Sequence, residues 1–323
     1  MNPRLRKTAR TVSGVAAVIA VNALVVQSAF ANTISYFTTV YDTDWTTAGV
    51  GGLRGSGTGT INVSGVTGSV TQSYTYWAGP TNSTDPTYNS AATINGTPVT
   101  GTNIGFSQDN FWGYNNSQAY RADTTSVVNG NGAYTIAGVN AQTNGAGSLV
   151  FFNNPASTNK RDVVVFDGND SNFASAYDPA GWNINLNGIK YTSGSAYLTF
   201  MVSDGQNFGP NDDGTIDING TPLVSGGIFQ GASLCCGTGP TGNGNLWDIE
   251  TYDITSFLTP GINNLNITLG PGTDDAIADI VAAVDLPAGA APPPPPVPEP
   301  SSLLVMGAGL IGLRRFYRRR GRG

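Results

Sequence analysis

Nowhere between Asn32 and Gly289 do apolar residues return at every third and fourth position over the length of a helix. They return at every second position in short runs, as in Thr60-Ile61-Asn62-Val63, Trp182-Asn183-Ile184-Asn185-Leu186 and Leu265-Asn266-Ile267-Thr268-Leu269, and each run is broken by Gly, Asn, Asp, Ser or Pro. A period of two sends alternate side chains to opposite faces of an extended chain, so these runs predict strands and the breaks predict turns. Two runs do not alternate: Leu149-Val150-Phe151-Phe152 and Val163-Val164-Val165-Phe166 are apolar throughout and suit strands buried on both faces. The 43 glycines and 19 prolines show no G-X-Y period, which excludes a collagen-like chain, and 39% hydrophobic residues suffice for a packed core. The fold class predicted is all-β.

The body also compares with itself. Ile94-Asn95-Gly96-Thr97-Pro98-Val99 recurs as Ile218-Asn219-Gly220-Thr221-Pro222-Leu223, 124 positions on. Tyr74-Thr75-Tyr76-Trp77 recurs as Tyr197-Leu198-Thr199-Phe200, and Asp123-Thr124-Thr125-Ser126-Val127-Val128 as Asp253-Ile254-Thr255-Ser256-Phe257-Leu258. Three matches in one order at nearly constant spacing argue for a duplication. The Asn-Gly of each copy suits a hairpin turn with positive φ. The Asp of each Asp-x-Thr-Ser unit can cap the amides of a single helical turn. Two tandem sandwiches are expected, over 32–180 and 181–287, with the boundary near Asp178–Gly181.

Charge is partitioned by segment. Four of the 15 bases (Arg4, Arg6, Lys7, Arg10) stand at the start and six (Arg314, Arg315, Arg318, Arg319, Arg320, Arg322) at the end, leaving five in between. All 21 acids lie from Asp42 to Glu299, so five bases against 21 acids leave this middle stretch at −16. Such a surface repels nucleic acid and anionic lipid. The basic start precedes an apolar run, Val12–Val26, and a small-residue site, Ala29-Phe30-Ala31. That order is the pattern of a signal peptide, 1–31, forming an N-terminal signal helix cut by signal peptidase before Asn32.

At the other end, a Pro-rich linker, 288–297, leads into Pro298-Glu299-Pro300, an apolar stretch from Leu303 to Leu313, and a cluster beginning with Arg314 and Arg315. Eleven apolar residues rise about 17 Å as a helix, so this short transmembrane helix needs snorkelling Arg side chains to complete a span of ~30 Å. The Arg cluster belongs on the cytoplasmic side, which puts the body outside. This order, 298–323, resembles the PEP-CTERM sorting signal of Gram-negative bacteria, with Pro298, Glu299 and Pro300 as the motif itself. The resemblance implies a transient inner-membrane anchor, removal of the tail by an exosortase, and delivery to the cell surface or to an extracellular biofilm matrix. The body in turn resembles galactose-binding-like jelly-roll domains, through the Asn-Gly hairpin followed by Asp253-Ile254-Thr255, Leu258, Pro260-Gly261 and Asn263-Asn264-Leu265. These are structural motifs, so the resemblance implies jelly-roll-like sandwiches and no particular ligand.

Histidine is absent, which removes Ser-His-Asp and Cys-His catalysis and every His-containing zinc site. No P-loop, nucleophile elbow or dinucleotide fingerprint is present. The alternation Trp247-Asp248-Ile249-Glu250 places Glu250, the body's one glutamate, on the water-facing side, and no enzyme is expected. Three constellations remain. Cys235 and Cys236 are adjacent; their Cα atoms stand about 3.8 Å apart, below the usual disulfide window, so a vicinal disulfide would be strained, and two free thiols or intermolecular links are the alternatives. Asn211, Asp213 and Asp217 alternate around Gly214 in a spacing that resembles calcium loops, against the plainer reading of a polar hairpin. Trp112, Tyr114 and Tyr120 gather aromatic rings in a Gly/Asn-rich stretch, either as glycan contacts or as filling for a sandwich edge. The function expected is structural or adhesive within an exopolysaccharide layer; the alternative is a carbohydrate-binding module.

Overall fold

The computed structural model describes residues 34–177, 179–208, 213–231, 245–270 and 275–292. Among them the sole helical element is a 3-10 turn, Thr255–Phe257, and everything else regular is strand. A first set runs β1 (Ser35–Gly51), β2 (Thr58–Val63), β3 (Ser69–Thr81), β4 (Ala91–Ile94), β5 (Thr97–Thr100), β6 (Thr102–Ser107), β7 (Asn116–Asp123), β8 (Gly132–Ala137) and β9 (Gly145–Asn153). A second runs β10 (Arg161–Ser171), β11 (Asn183–Tyr191), β12 (Tyr197–Ser203), β13 (Thr215–Ile218), β14 (Thr221–Ser225), β15 (Trp247–Asp253), β16 (Gly261–Leu269) and β17 (Ala278–Pro287).

Among the described residues these strands make one nine-stranded sheet, β15-β12-β17-β10-β1-β9-β3-β7-β6, and two four-stranded sheets, β2-β8-β4-β5 and β11-β16-β13-β14. The order repeats. If β1, β9, β3 and β7 are matched to β10, β17, β12 and β15, the two arms of the large sheet have one order; β2-β8-β4-β5 matches β11-β16-β13-β14 in the same way. In this correspondence β10 opens the second set, so a division within 154–160 gives both sets equal strand order, whereas the boundary read at 180/181 falls between β10 and β11.

The repeated sequence motifs occupy repeated positions. Asn95 (φ 48°) and Gly96 (φ 78°) turn β4 into β5, and Asn219 (φ 52°) and Gly220 (φ 74°) turn β13 into β14. Both dipeptides meet the positive-φ requirement of a tight hairpin. Each asparagine also ties its hairpin to a neighbouring strand. Asn95 Nδ2 donates to Ala133 O and its Oδ1 accepts from Thr135 N; Asn219 repeats this with Asn264 O and Asn266 N. The two aspartates behave alike, each closing a turn on the threonine amide two residues on: Thr125 N donates to Asp123 Oδ1 at 3.0 Å and Thr255 N to Asp253 Oδ1 at 2.8 Å, while the N-cap of the 3-10 turn itself is Ile254. Both threonine hydroxyls then accept a backbone amide, from Ser73 N in β3 and from Ala196 N just before β12.

β1 joins the two arms. Its first part, from Ser35 to Thr43, pairs with β10, and its second, Asp44–Gly51, pairs with β9. The change of partner falls at a bulge where Asp42 takes φ 49°. Bulges bend a strand and increase its twist, and here the bend turns one arm back over the other. Alternation then gives each arm two buried faces. Val150 and Phe152 of β9 pack toward the β2-β8-β4-β5 sheet, with Trp77 and Ile136. Val164, Phe166 and Phe200 pack toward the β11-β16-β13-β14 sheet, with Ile184 and Ile267. The opposite faces, Leu149 and Phe151 with Val163, Val165, Met201 and Val281, meet in a third core between the arms. This explains why Leu149–Phe152 of β9 and Val163–Phe166 of β10 are apolar throughout: both faces of these stretches are interior.

No helix among the described residues is long and apolar enough to cross a membrane. The expected signal helix, with Ala29 and Ala31, and the expected transmembrane helix near Leu303–Leu313 lie outside the described residues.

Candidate functional site

The loop after β6 brings Trp112 to the far arm of the large sheet. Its indole Nε1–H donates to both carboxylate oxygens of Asp204, at 2.8 and 2.7 Å, and the Arg54 guanidinium lies 3.5 Å from the ring centroid. Asp204 follows β12 with φ 78°, a left-handed conformation in which its own amide reaches Leu246 O. Asp204 is fully buried. Burial raises its pKa to about 8, although the positive charge of Arg54 and the hydrogen bonds from Trp112 and Asn110 work against the rise. Arg54 continues the bridge: its Nε donates to Asn144 Oδ1, and Asn144 Nδ2 donates to Ser203 Oγ. These residues tie the loops of one arm to the end of β12 on the other. Sequence spacing gave no sign of it, because Trp112 and Asp204 stand 92 positions apart.

The aromatic residues singled out for a glycan are therefore divided. Tyr120 is buried, stacks on Trp77 at 5.8 Å and donates its hydroxyl to Gln118 Oε1. Its ring fills the core between β7 and the small sheet, which corrects its reading as a ligand contact. Trp112 is half-buried, with its N–H and one neighbouring face already occupied. Tyr114 is half-buried beside it, its amide held by Asp109 Oδ2 at 2.6 Å. The exposed ring is Phe111, at 70%, edge-on to Phe173. Phe111, Trp112, Gln206, Phe208 and Asp275 border a shallow groove of about 210 Å³.

Of the calcium-loop candidates, Asn211 lies outside the described residues. Asp213 is buried, and its Oδ2 accepts from the amides of Ile228 and Phe229, so it pins that loop. Asp217 sits within β13, half-buried, between Thr268 and Pro222. Among the described residues no group of three or more acidic or cysteine side chains gathers as a metal set. Cys235 and Cys236 lie outside the described residues.

Buried carboxylates are the feature that alternation concealed. Asp248 accepts from Gly231 N, and Asp275 from Gln206 N, each bracing a loop as Asp213 does. Glu250 is buried too, at 5%, which corrects its placement on the water-facing side: β15 has the small sheet over that face. Asp285 pairs with Arg161 inside the body, and Asp167 pairs with Arg121. Burial raises the pKa values of Asp167, Asp279 and Asp285, with the arginine partners of the first and last opposing the rise.

The body ends where the Pro-rich linker begins, and that point is fastened. Gly289 N donates to Asp162 Oδ2, Lys190 N to Ala290 O, and Tyr41 hydroxyl to Pro292 O. The chain then runs into its C-terminal tail.

Residues 296–320 match the PEP-CTERM protein-sorting motif. The match spans the expected Pro298, Glu299, Pro300, Arg314 and Arg315, and it implies an exported protein with a C-terminal sorting tail processed by an exosortase. No curated protein matches the chain.

Proposed function

We propose that the chain is a non-enzymatic surface or matrix protein of a Gram-negative bacterium, structural or adhesive within an exopolysaccharide layer. In this reading the body is two jelly-roll-like sandwiches of galactose-binding-like kind, fused through β1 and delivered through a transient inner-membrane anchor. The observation that carries it is the sorting motif at 296–320, set after a body whose last described residues are tied to β1, β10 and β11. Five of the buried acids support the non-catalytic part, since Asp213, Asp248 and Asp275 accept loop amides and Asp167 and Asp285 pair with arginine.

Fractionation tests the reading. Native protein should leave the inner membrane without its tail, and mass spectrometry should find a C-terminus within or after Pro298-Glu299-Pro300. Glu299→Ala should hold the uncut chain in the inner membrane. An uncut chain in the cytosol, or equal release of both forms, would refute it. Carbohydrate binding is the second reading, favoured by one observation: an aromatic and hydroxyl-lined cleft between the two arms.

A further inference from the structure

The two arms of the large sheet touch along β1 and β15 at glycines. A Cβ on Gly49 would fall 2.8 Å from Ile249 Cδ1, and one on Gly51 would fall 2.2 Å from Asn245 O. Toward the start of β1 the glycines give way to Trp45 and Thr47, and the arms part. Between them lies a cleft of about 340 Å³, lined by Trp45, Thr47, Tyr197, Thr199, Thr251 and Asp285. That volume is at the lower end of ligand-binding clefts, which run from about 300 to 1,000 Å³.

The lining is fixed and its charges are already paired. Trp45 stacks on Phe151 at 6.2 Å and donates its indole N–H to Asp285 Oδ2 at 3.0 Å, so the half-buried ring is held in one orientation. Asp285 is paired with Arg161, whose guanidinium also reaches Ser195 O and lies 5.8 Å from the Tyr197 ring. An anion would meet a carboxylate here, and a cation would compete with Arg161. What remains for a ligand is two partly exposed aromatic rings and a row of hydroxyls. Thr199 and Thr251 share a hydrogen bond at 2.8 Å, and Thr47 Oγ1 is buried with no hydrogen-bond partner among the described residues. Buried polar atoms are normally satisfied, and a change of rotamer would bring this orphan hydroxyl of the cleft wall within reach of an incoming donor or acceptor.

We infer that this cleft binds an uncharged sugar unit of a polysaccharide chain, its C–H face against Trp45 and Tyr197 and its hydroxyls toward Thr47, Thr199 and Thr251. A purely apolar ligand would strip water from Thr199 and Thr251 and offer Thr47 nothing, whereas a sugar presents both surfaces. The inference rests on the carbohydrate-binding reading and gives it a location, distinct from the groove beside Trp112.

Affinity electrophoresis of the full-length, detergent-solubilised chain tests it, in gels cast with dextran, galactomannan or hydroxyethylcellulose and, separately, with anionic alginate. At least one neutral polymer should retard the chain. Tyr197→Ala and Thr251→Arg, the latter placing a long cationic side chain at the cleft mouth from an exposed position, should each weaken that retardation tenfold or more, with circular dichroism unchanged. Phe111→Ala should leave it unaltered. If retardation survives both cleft variants and is lost in Phe111→Ala, the carbohydrate reading stands and this cleft is overturned. Retardation by alginate alone overturns the uncharged specificity, and no retardation in any gel overturns the site and the reading together.

Discussion

Gly49→Ala perturbs the contact between the arms at a point where a second substitution can relieve the clash. Glycine in a strand is ordinarily a weak point, and alanine there stabilises by roughly 0.5–1 kcal/mol. At Gly49 the added methyl would sit 2.8 Å from Ile249 Cδ1 and 3.0 Å from the Trp247 indole nitrogen, closer than packed atoms allow. Ile249 and Trp247 are both buried in the third core and have little room to retreat. Overpacking of this kind costs about 1–3 kcal/mol. Ile249→Val deletes the nearest carbon and by itself costs about 0.5–1.5 kcal/mol. The two changes should therefore compensate, the double variant being less destabilised than the sum of the singles by at least about 0.5 kcal/mol. Denaturant unfolding of the four chains measures this, with Gly132→Ala as the control, because a Cβ there meets nothing closer than 3.7 Å. Strict additivity would mean that β1 and β15 are not in contact, and the face-to-face packing of the arms would be wrong.

Other outcomes follow from the same contacts. Asp204 keeps its proton in the folded chain up to about pH 8, while in the unfolded chain it releases it near pH 4. The folded state therefore binds the extra proton between these values, and this group's contribution to stability falls as pH rises through that window. Asp204→Asn should flatten the decline of melting temperature between pH 4 and 8; an unchanged slope would show that Asp204 is ionised in the fold. Arg161→Leu strands the buried Asp285 carboxylate and should cost roughly 3–5 kcal/mol, whereas Arg161→Leu with Asp285→Leu should recover much of the loss, as read by urea midpoints. Asn95→Ala and Asn219→Ala remove equivalent hydrogen bonds at equivalent positive-φ turns. Each should destabilise by about 1–3 kcal/mol, and markedly unequal values would weaken the matching of the two strand sets.

The strands, the hairpin turns and the duplication were legible because each is written locally. Asn-Gly, Asp-x-Thr and period-two alternation act within a few residues, and the same chemistry at 124 positions' distance produced the same turn. The joining of the arms was not legible. The partner change in β1 at Asp42–Asp44 depends on a bulge, and the third core depends on that bend. Glu250 shows the cost of reading alternation without knowing the number of layers: a polar residue on a strand signals water only if no second sheet covers that face. Tyr120 failed as a ligand contact for a related reason, since an aromatic in a Gly/Asn-rich stretch fills a core as readily as it faces a ligand. The cleft residues Trp45 and Tyr197 carry no local signal, being 152 positions apart and brought together only by the folding of one arm over the other.

The tail departs from β17, which is not an edge: it is hydrogen-bonded along one side to β10 and along the other to β12. Tension arriving through the linker would thus load two ladders at once, lengthwise, so that many hydrogen bonds must yield together where a border strand would peel away one at a time. In the proposed anchored stage, before the tail is cut, a pull on the body is therefore resisted by both ladders together.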